Sequence, residues 1–240
     1  MAQDLPRTVV MTGATAGIGW DAAQRMAKEP DTTVLIGARG TGRTVPSGCE
    51  QLPLDLMSLD TVRTFADAVR ERLGDKKIDA LVLNASGGLE RGAAGDFAMA
   101  INRDAQLHLV QNALPHLHSG SRIVYVTSHQ AHFHGRKPVP EDYEPIAASK
   151  RAGEDALRSL IPEFATRGIG FTVISGDMIE GTMIVRLLRR RDPRAVDART
   201  AQGQLPTVEQ FATAVADATA TPTEPGHTVY VGGADYLVHP

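Results

Sequence analysis

The first stretch with evident chemistry is TGATAGIG, residues 12–19, in which glycine occupies positions 13, 17 and 19. It follows an apolar run and precedes an amphipathic segment, so the glycines fall at a predicted strand-to-helix turn. Glycine permits a tight turn and lets backbone N–H groups approach a pyrophosphate, while the positive end of the helix dipole faces that anion. The pattern predicts a phosphate-binding loop, although glycines at such a turn can also be purely structural.

The elements that would position this loop alternate along the chain. Apolar runs predict strands at 7–13, 32–38, 78–85, 121–128, 170–175 and 227–233. Periodic segments between them predict helices at 18–29, 59–73, 97–114, 145–167 and 207–218. Strands this apolar, separated by helices, belong in a parallel sheet covered on both faces. The pattern predicts an α/β fold: a single domain, residues 1–240, with a doubly wound parallel sheet of Rossmann type.

Composition narrows the class of protein. The chain has 240 residues, of which 42% are hydrophobic, and carries a net charge of −3 with a pI near 6.2. That balance argues against broad binding to nucleic acid or to anionic membranes. Cys49 is the only cysteine, which excludes an internal disulfide and fits a reducing compartment. With no secretion signal and no apolar run of membrane-spanning length, we expect a cytoplasmic protein.

Further features follow the glycine loop in a fixed order: Asp55, the segment NASG at 84–87, Asn102, Ser128 and Lys150. Together with the loop, they make the sequence resemble the short-chain dehydrogenase/reductase family over residues 7 to 233. The resemblance implies an oxidoreductase that moves a hydride between a nicotinamide cofactor and a small-molecule carbonyl or alcohol.

The resemblance also implies which residues bind the cofactor. Asp55 would hold the adenine ring and Asn84 would line the cofactor, although Asp55 could instead cap a helix and Asn84 could be a core amide. Lys150 would grip the nicotinamide ribose. The other positions that match the family's cofactor-binding motifs are Gly13, Gly17, Ile18, Gly19, Leu56 and Ala85.

The end of the second strand bears on the choice between NAD and NADP. NAD-binding relatives typically place an acidic residue there to hold the ribose 2′-hydroxyl. This chain has Arg39 instead, where a guanidinium can meet the 2′-phosphate of NADP, and Arg43 could assist. Ala16 stands where a supporting basic residue is usual. We expect NADP(H), the alternative being that Arg39 is an ordinary surface arginine.

The family's catalytic set is Asn, Ser, Tyr and Lys. Asn102, Ser128 and Lys150 match three of these, with Ser128 placed to hydrogen-bond a substrate carbonyl and Asn102 to organise a proton-relay water. The tyrosine position is Ile146. An isoleucine cannot protonate the developing alkoxide, so another group must do so if the chain is a catalyst.

Four sources of that proton stay open. Tyr143 lies seven residues before Lys150, on the loop ahead of a helix that Pro145 begins, and is either the displaced phenol or a packing residue. A neutral-pH acid could come from His129, His132 and His134, on a loop that should border the pocket, although each of them could also lie on a solvated loop. The remaining sources are Ser128 or a water, and a hydroxyl of the substrate itself. We do not expect a metal site in the histidine cluster, because its spacing lacks further ligands.

The segment at about 177–206 is expected to be a mobile substrate lid. Its apolar inner face would be formed by Met178, Ile179, Met183, Leu187 and Leu188. Thr182 comes later than the usual threonine of the family, so its cofactor contact is in doubt. Five arginines either meet an anionic, carrier-bound substrate or form the solvated side of a lid helix: Arg186, Arg189, Arg190, Arg191 and Arg194.

Two classes of function remain after this reasoning. The first is an NADP(H)-dependent ketoreductase or alcohol dehydrogenase with a non-standard proton donor, acting on a hydrophobic, polyketide-like carbonyl. The second is a non-catalytic NADP(H)-binding sensor or scaffold on the same fold. Family members commonly pair through the helices that correspond to 97–114 and 145–167, so we expect a homodimer or homotetramer.

Overall fold

A computed structural model of the chain describes residues 6–40, 44–88, 96–233 and Leu237. Within these residues, seven strands form one parallel sheet in the order β3-β2-β1-β4-β5-β6-β7. The predicted α/β doubly wound sheet of Rossmann type is confirmed. The strands are β1 (Arg7–Thr12), β2 (Thr32–Ala38), β3 (Cys49–Pro53), β4 (Ile78–Leu83), β5 (Leu117–Ser128), β6 (Gly170–Gly176) and β7 (His227–Val231).

Helices cover both faces of the sheet. One core lies beneath α1 and α10, and the other beneath α2, α4 and α6. The order of the strands reverses between β1 and β4, which opens a crevice at their carboxyl ends. The helices are α1 (Gly17–Met26), α2 (Leu59–Leu73), α3 (Phe97–Met99), α4 (Ala105–Ala113), α5 (His129–His132), α6 (Glu144–Arg158), α7 (Ile161–Arg167), α8 (Met183–Arg191), α9 (Pro193–Thr200) and α10 (Val208–Ala220).

Several predicted elements need correction. Strand β3 was missed, because it is short, lies at the sheet edge and is only half-buried. The helix predicted at 145–167 is two helices, α6 and α7, since Pro162 has no N–H to continue the α6 hydrogen bonds. The helix predicted at 97–114 is interrupted by a π-helical turn at Ala100–Asp104. Strand β5 begins at Leu117, four residues before the predicted start, and α1 ends at Met26 instead of 29.

The segment predicted as a lid folds into α8 and α9. Val185, Val196 and Leu205 form a small core of their own, and Met178 and Leu188 pack against it. Met183, predicted on the inner face, is instead 83% exposed. The five arginines singled out in the sequence lie on the exposed side of this segment, where Arg189 pairs with Glu180.

Candidate functional site

The glycine loop connects β1 to α1, and its glycines have different structural roles. Gly13 has φ +72°, and a Cβ there would lie 2.7 Å from the Ala85 Cα. A Cβ on Gly19 would collide with the Gly13 carbonyl oxygen. Gly17 has φ +57° and faces open space. Gly13 and Gly19 are therefore required by packing, whereas Gly17 keeps the approach to the start of α1 clear.

A cleft of about 420 Å³ lies at the carboxyl ends of β1 to β4. It brings together most of the predicted cofactor residues. Gly17 and Gly19 lie in the first turn of α1, Ile18 lines the neighbouring cavity, and Arg43 lies outside the described residues. The cleft is lined by Gly13, Thr15, Ala16, Gly37, Ala38, Arg39, Leu54, Asp55, Leu56, Asn84, Ala85, Ser86, Ile101 and Met183.

Asn84 ties β4 to β1. Its Nδ2 donates to the carbonyl oxygens of Gly13 at 2.9 Å and of Thr12 at 3.3 Å. The Thr12 hydroxyl accepts from the backbone N–H groups of Asn84 and Ala85 at 3.2 and 3.1 Å. The amide therefore has the structural role considered from the sequence and also faces both cavities.

Asp55 and Arg39 both line the cleft. Asp55 accepts a hydrogen bond from the Met57 N–H at 3.0 Å. It does not cap α2, because Ser58 does so through a bond from the Thr61 N–H. Arg39 is exposed at the end of β2. The cleft thus carries the Arg39 guanidinium directly after β2, at a position where an acidic residue would repel a phosphate group.

A second cavity, of about 340 Å³, adjoins the first, and both are lined by Asn84 and Ser86. Its walls come from the ends of β5 and β6 and from the segment that holds α8 and α9. Ser128, Tyr143 and Lys150 line it together with His129. Three of the four predicted catalytic residues therefore meet in one cavity that is continuous with the cleft.

The Ser128 and Tyr143 hydroxyl oxygens are 3.3 Å apart. Tyr143 ends a single 3-10 turn, Glu141–Tyr143, directly before α6. Ser128 ends β5 and caps α5, where its hydroxyl accepts from the Ala131 N–H at 3.2 Å. Burial raises the pKa of the Tyr143 phenol, and the hydrogen bond with Ser128 offsets part of this increase.

Lys150 enters the same cavity from α6 and is only 8% exposed. Its ammonium group has no hydrogen bond or ion pair with any residue that the structure describes, and burial lowers its pKa to about 8. A desolvated ammonium in this state is poised to gain a polar partner.

Asn102 is not brought into this cavity. It lies in the π-helical turn and is 1% exposed. Its Oδ1 accepts from the Gly87 N–H, and its Nδ2 donates to the Gly87 carbonyl and to the Ser149 hydroxyl, both at 2.9 Å. A Cβ on Gly153 would collide with the Asn102 carbonyl. In this arrangement the side chain holds the 84–87 loop against α6.

Ile146 is 4% exposed and belongs to the protein interior. A Cβ placed on Gly88 would lie 3.0 Å from both the Ile146 Cγ1 and the Ala98 Cβ. The position that the sequence resemblance matched to a tyrosine is therefore a packing position here, on the face of α6 that also carries Lys150.

His129 lines the second cavity, but the alternative of a solvated loop is wrong for His129 and His132. His129 and His132 lie in the short helix α5 and are 1% and 6% exposed. His129 Nδ1 is 2.8 Å from the Ser175 hydroxyl and its Nε2 is 3.2 Å from the Gly232 carbonyl. Because a carbonyl only accepts, a neutral His129 ring that makes both bonds carries its hydrogen on Nε2 and accepts from the Ser175 hydroxyl at Nδ1. His132 bonds both Glu154 carboxylate oxygens at 2.9 Å, and His134 bonds Glu144.

Two functional candidates were not found from the sequence. Asp177, directly after β6, and Arg199, on α9, line the second cavity and form a buried ion pair. They are 22 residues apart, so no helical or strand periodicity in the sequence links them.

In the described part of the chain, no group of three or more His, Cys, Asp and Glu residues is arranged to hold a metal ion.

Comparison with known proteins identifies the family. A sequence model of the short chain dehydrogenase family matches residues 7–192. The chain belongs to the short-chain dehydrogenase/reductase family. A short-chain dehydrogenase/reductase of Pestalotiopsis microspora is 33% identical over 150 residues, 53% of this chain and 50% of that protein. An Arabidopsis thaliana family member is 32% identical over 50% of this chain and 38% of its own length. The matches thus span half or less of these relatives.

Solved structures share the whole fold. The Pseudomonas aeruginosa RhlG/NADP active-site complex has a TM-score of 0.79 at 23% identity and covers 98% of each chain. A Burkholderia cenocepacia short chain dehydrogenase in complex with NADP has a TM-score of 0.77 at 24% identity, covering 95% of this chain and 97% of that one. These likenesses confirm the fold. None of the helices in the described ranges is both long and apolar enough to cross a membrane.

Proposed function

We propose that this short-chain dehydrogenase/reductase is an NADP(H)-dependent ketoreductase in which Tyr143 replaces the missing phenol as the source of the proton. The observation that carries the proposal is the 3.3 Å approach of the Tyr143 and Ser128 hydroxyls. They meet in a cavity that also holds the Lys150 ammonium and opens into the cleft beside the glycine loop.

The residues of the cleft fit a dinucleotide phosphate. The α1 cap residue, Ala16, offers no side-chain bond to the first N–H groups of the helix, so these can meet a pyrophosphate. Arg39 would meet the 2′-phosphate, and the Lys150 ammonium, which has no partner among the described residues, would hold ribose hydroxyls. The solved neighbours in complex with NADP agree with this choice of cofactor. When bound, the nicotinamide supplies or accepts the hydride.

The hydrogen bonds of the Ser128 hydroxyl define a path for a proton from Tyr143 to the substrate. Its oxygen accepts from the Ala131 N–H and can also accept from the Tyr143 hydroxyl, which leaves its own proton to point at a substrate carbonyl. As the carbonyl oxygen becomes an alkoxide, the Ser128 proton moves to it and the Tyr143 proton moves to Ser128. An alkoxide is a far stronger base than a phenolate, so the raised pKa of Tyr143 does not prevent the transfer. Solvent then reprotonates the phenolate that remains.

Replacing Tyr143 by phenylalanine tests this path. We expect Tyr143→Phe to lower kcat by about 10²–10⁴-fold, the usual cost of removing a general acid, with little change in the NADPH dissociation constant. The matched control is Tyr230→Phe, which removes a phenol that bonds His132 and lies outside the second cavity. Tyr143→Phe with full activity would exclude the phenol as the proton source.

The alternative of a non-catalytic NADP(H)-binding protein is favoured by one observation, the burial of Ile146 at the tyrosine position. On that alternative, no carbonyl compound oxidises bound NADPH, and Lys150→Ala only weakens cofactor affinity. Turnover measured with a panel of ketones separates the two functions.

A further inference from the structure

Helix α5 fixes the place of Ser128 in the second cavity. The helix has only four residues, His129–His132, and the Ser128 hydroxyl caps its start. Tyr143 stands directly before α6, which packs against α5. The distance between the two hydroxyls therefore depends on how α5 lies against α6. A helix of a single turn is not stable by itself, so its contacts with other elements must hold it in position.

The contact between the two hydroxyls is too weak to hold α5. Their oxygens are 3.3 Å apart, whereas hydrogen bonds between oxygen atoms are usually about 2.5–3.0 Å long. Both groups are also neutral, and a bond between neutral groups is about half as strong as one with a charged partner. A stronger attachment of α5 to α6 is needed to keep Ser128 and Tyr143 together.

The other end of α5 provides such an attachment. The His132 side chain is buried, and its Nδ1 lies 2.9 Å from both carboxylate oxygens of Glu154, a buried residue of α6. Glu154 lies one helical turn after Lys150, on the same face of α6. The Arg151 guanidinium, also on α6, donates to the His132 carbonyl at 2.7 Å. Both the side chain and the backbone of His132 are thus bound to α6.

The bond between His132 and Glu154 includes a charged partner. Burial acts to raise the pKa of Glu154, but its hydrogen bonds with His132 and Arg158 hold that pKa below its ordinary value, so the carboxyl is ionised at neutral pH. Because a carboxylate only accepts, the His132 Nδ1 carries the hydrogen of this bond. The other ring nitrogen, Nε2, is 3.1 Å from the Tyr230 hydroxyl on β7, and that bond does not connect α5 to α6.

We propose that His132 is a positioning residue, which through its bonds with Glu154 holds Ser128 within reach of the Tyr143 hydroxyl. The inference rests on the proposed function, in which the proton passes from Tyr143 through Ser128 to the substrate. His132 is not part of the lining of the second cavity and takes no part in the transfer. Ser128 and His132 lie at opposite ends of one helical turn, about 6 Å apart along its axis, so a shift of His132 also moves Ser128.

Replacing His132 by leucine, in proteins with and without the Tyr143 phenol, tests this role. His132→Leu removes the donor to Glu154 and should lower kcat for ketone reduction by about 10–100-fold, since a misplacement of about 1 Å can cost about 100-fold. In a Tyr143→Phe background, the factor lost should be smaller by about fivefold or more, because the transfer that needs both hydroxyls is already absent. A purely structural residue would lower kcat by the same factor in both backgrounds.

Two control variants separate the bond with Glu154 from the other contacts of His132. His132→Asn keeps an N–H donor near the place of Nδ1 and should retain most of the activity. Tyr230→Phe removes the bond at the other ring nitrogen of the same histidine and should leave kcat unchanged. The NADPH dissociation constant should stay the same in every variant, because His132 does not line the cofactor cleft.

Two results would overturn the inference and leave the proposed function intact. One is that His132→Leu lowers kcat equally in both backgrounds, or in neither. The other is that Tyr230→Phe lowers kcat as much as His132→Leu does. If His132→Leu does not fold, Glu154→Gln gives the same comparison, because it removes the charge and keeps the volume of the side chain. If no ketone oxidises NADPH, or if Tyr143→Phe is fully active, the proposed function itself fails, and this inference with it.

Discussion

Lys150→Met should stabilise the protein in the absence of cofactor. The Lys150 ammonium is buried without a partner among the described residues, and its pKa falls from 10.5 to about 8. At about 1.4 kcal/mol per pH unit, this difference corresponds to a cost of about 3 kcal/mol for keeping the charged lysine folded at pH 7. Methionine has a similar length and no charge. We expect a gain of about 1–3 kcal/mol, which raises Tm by about 2–12 °C in a domain of this size.

The pH dependence follows from the same pKa. Between about pH 8 and 10.5 the unfolded chain holds the Lys150 proton and the folded chain does not, so this lysine makes stability rise with pH over that window. Below pH 8 both states are protonated and the full cost applies. The stability advantage of Lys150→Met over the unmutated protein should therefore shrink as pH rises from 8 toward 10.5.

Urea unfolding at several pH values measures this difference directly. The control is Lys76→Met, at an exposed lysine, which should change neither the stability nor its pH dependence. Saturating NADPH should stabilise the unmutated protein more than Lys150→Met, because the cofactor supplies the missing partner. The reasoning is refuted if Lys150→Met lowers stability at pH 7 and keeps the unmutated pH dependence.

The remaining predictions concern the cofactor and assembly. NADPH should bind more tightly than NADH, and Arg39→Ala should remove most of that preference in a fluorescence titration; equal affinities before mutation would contradict the role of Arg39. Gly13→Ala should lower Tm strongly, because a Cβ would lie 2.7 Å from the Ala85 Cα. Gly17→Ala meets open space, so it should cost only about 1 kcal/mol of backbone strain and act mainly on cofactor affinity. Light scattering should show a homodimer or homotetramer, and a monomer at micromolar concentration would exclude the proposed pairing.

Local patterns in the sequence determined the general architecture. Strands β1, β2 and β4 are continuous apolar runs because both faces of a parallel sheet are buried. Such runs can be recognised from the sequence alone. The glycine loop could also be predicted from the sequence, since the need for positive φ at Gly13 and Gly17 is a property of the turn itself. Strand β3 was not, because an edge strand that is half-buried carries no continuous apolar signal.

Tertiary structure decided the site. That Tyr143 reaches Ser128 depends on where the 3-10 turn before α6 meets the end of β5, and no spacing in the sequence encodes that approach. The burial of His129 likewise depends on β6 and β7 lying beside α5. The Arg199–Asp177 pair joins α9 to the end of β6 across 22 residues. Periodicity reports only which face of an element is buried, whereas such contacts are fixed by which elements the packed sheet makes neighbours.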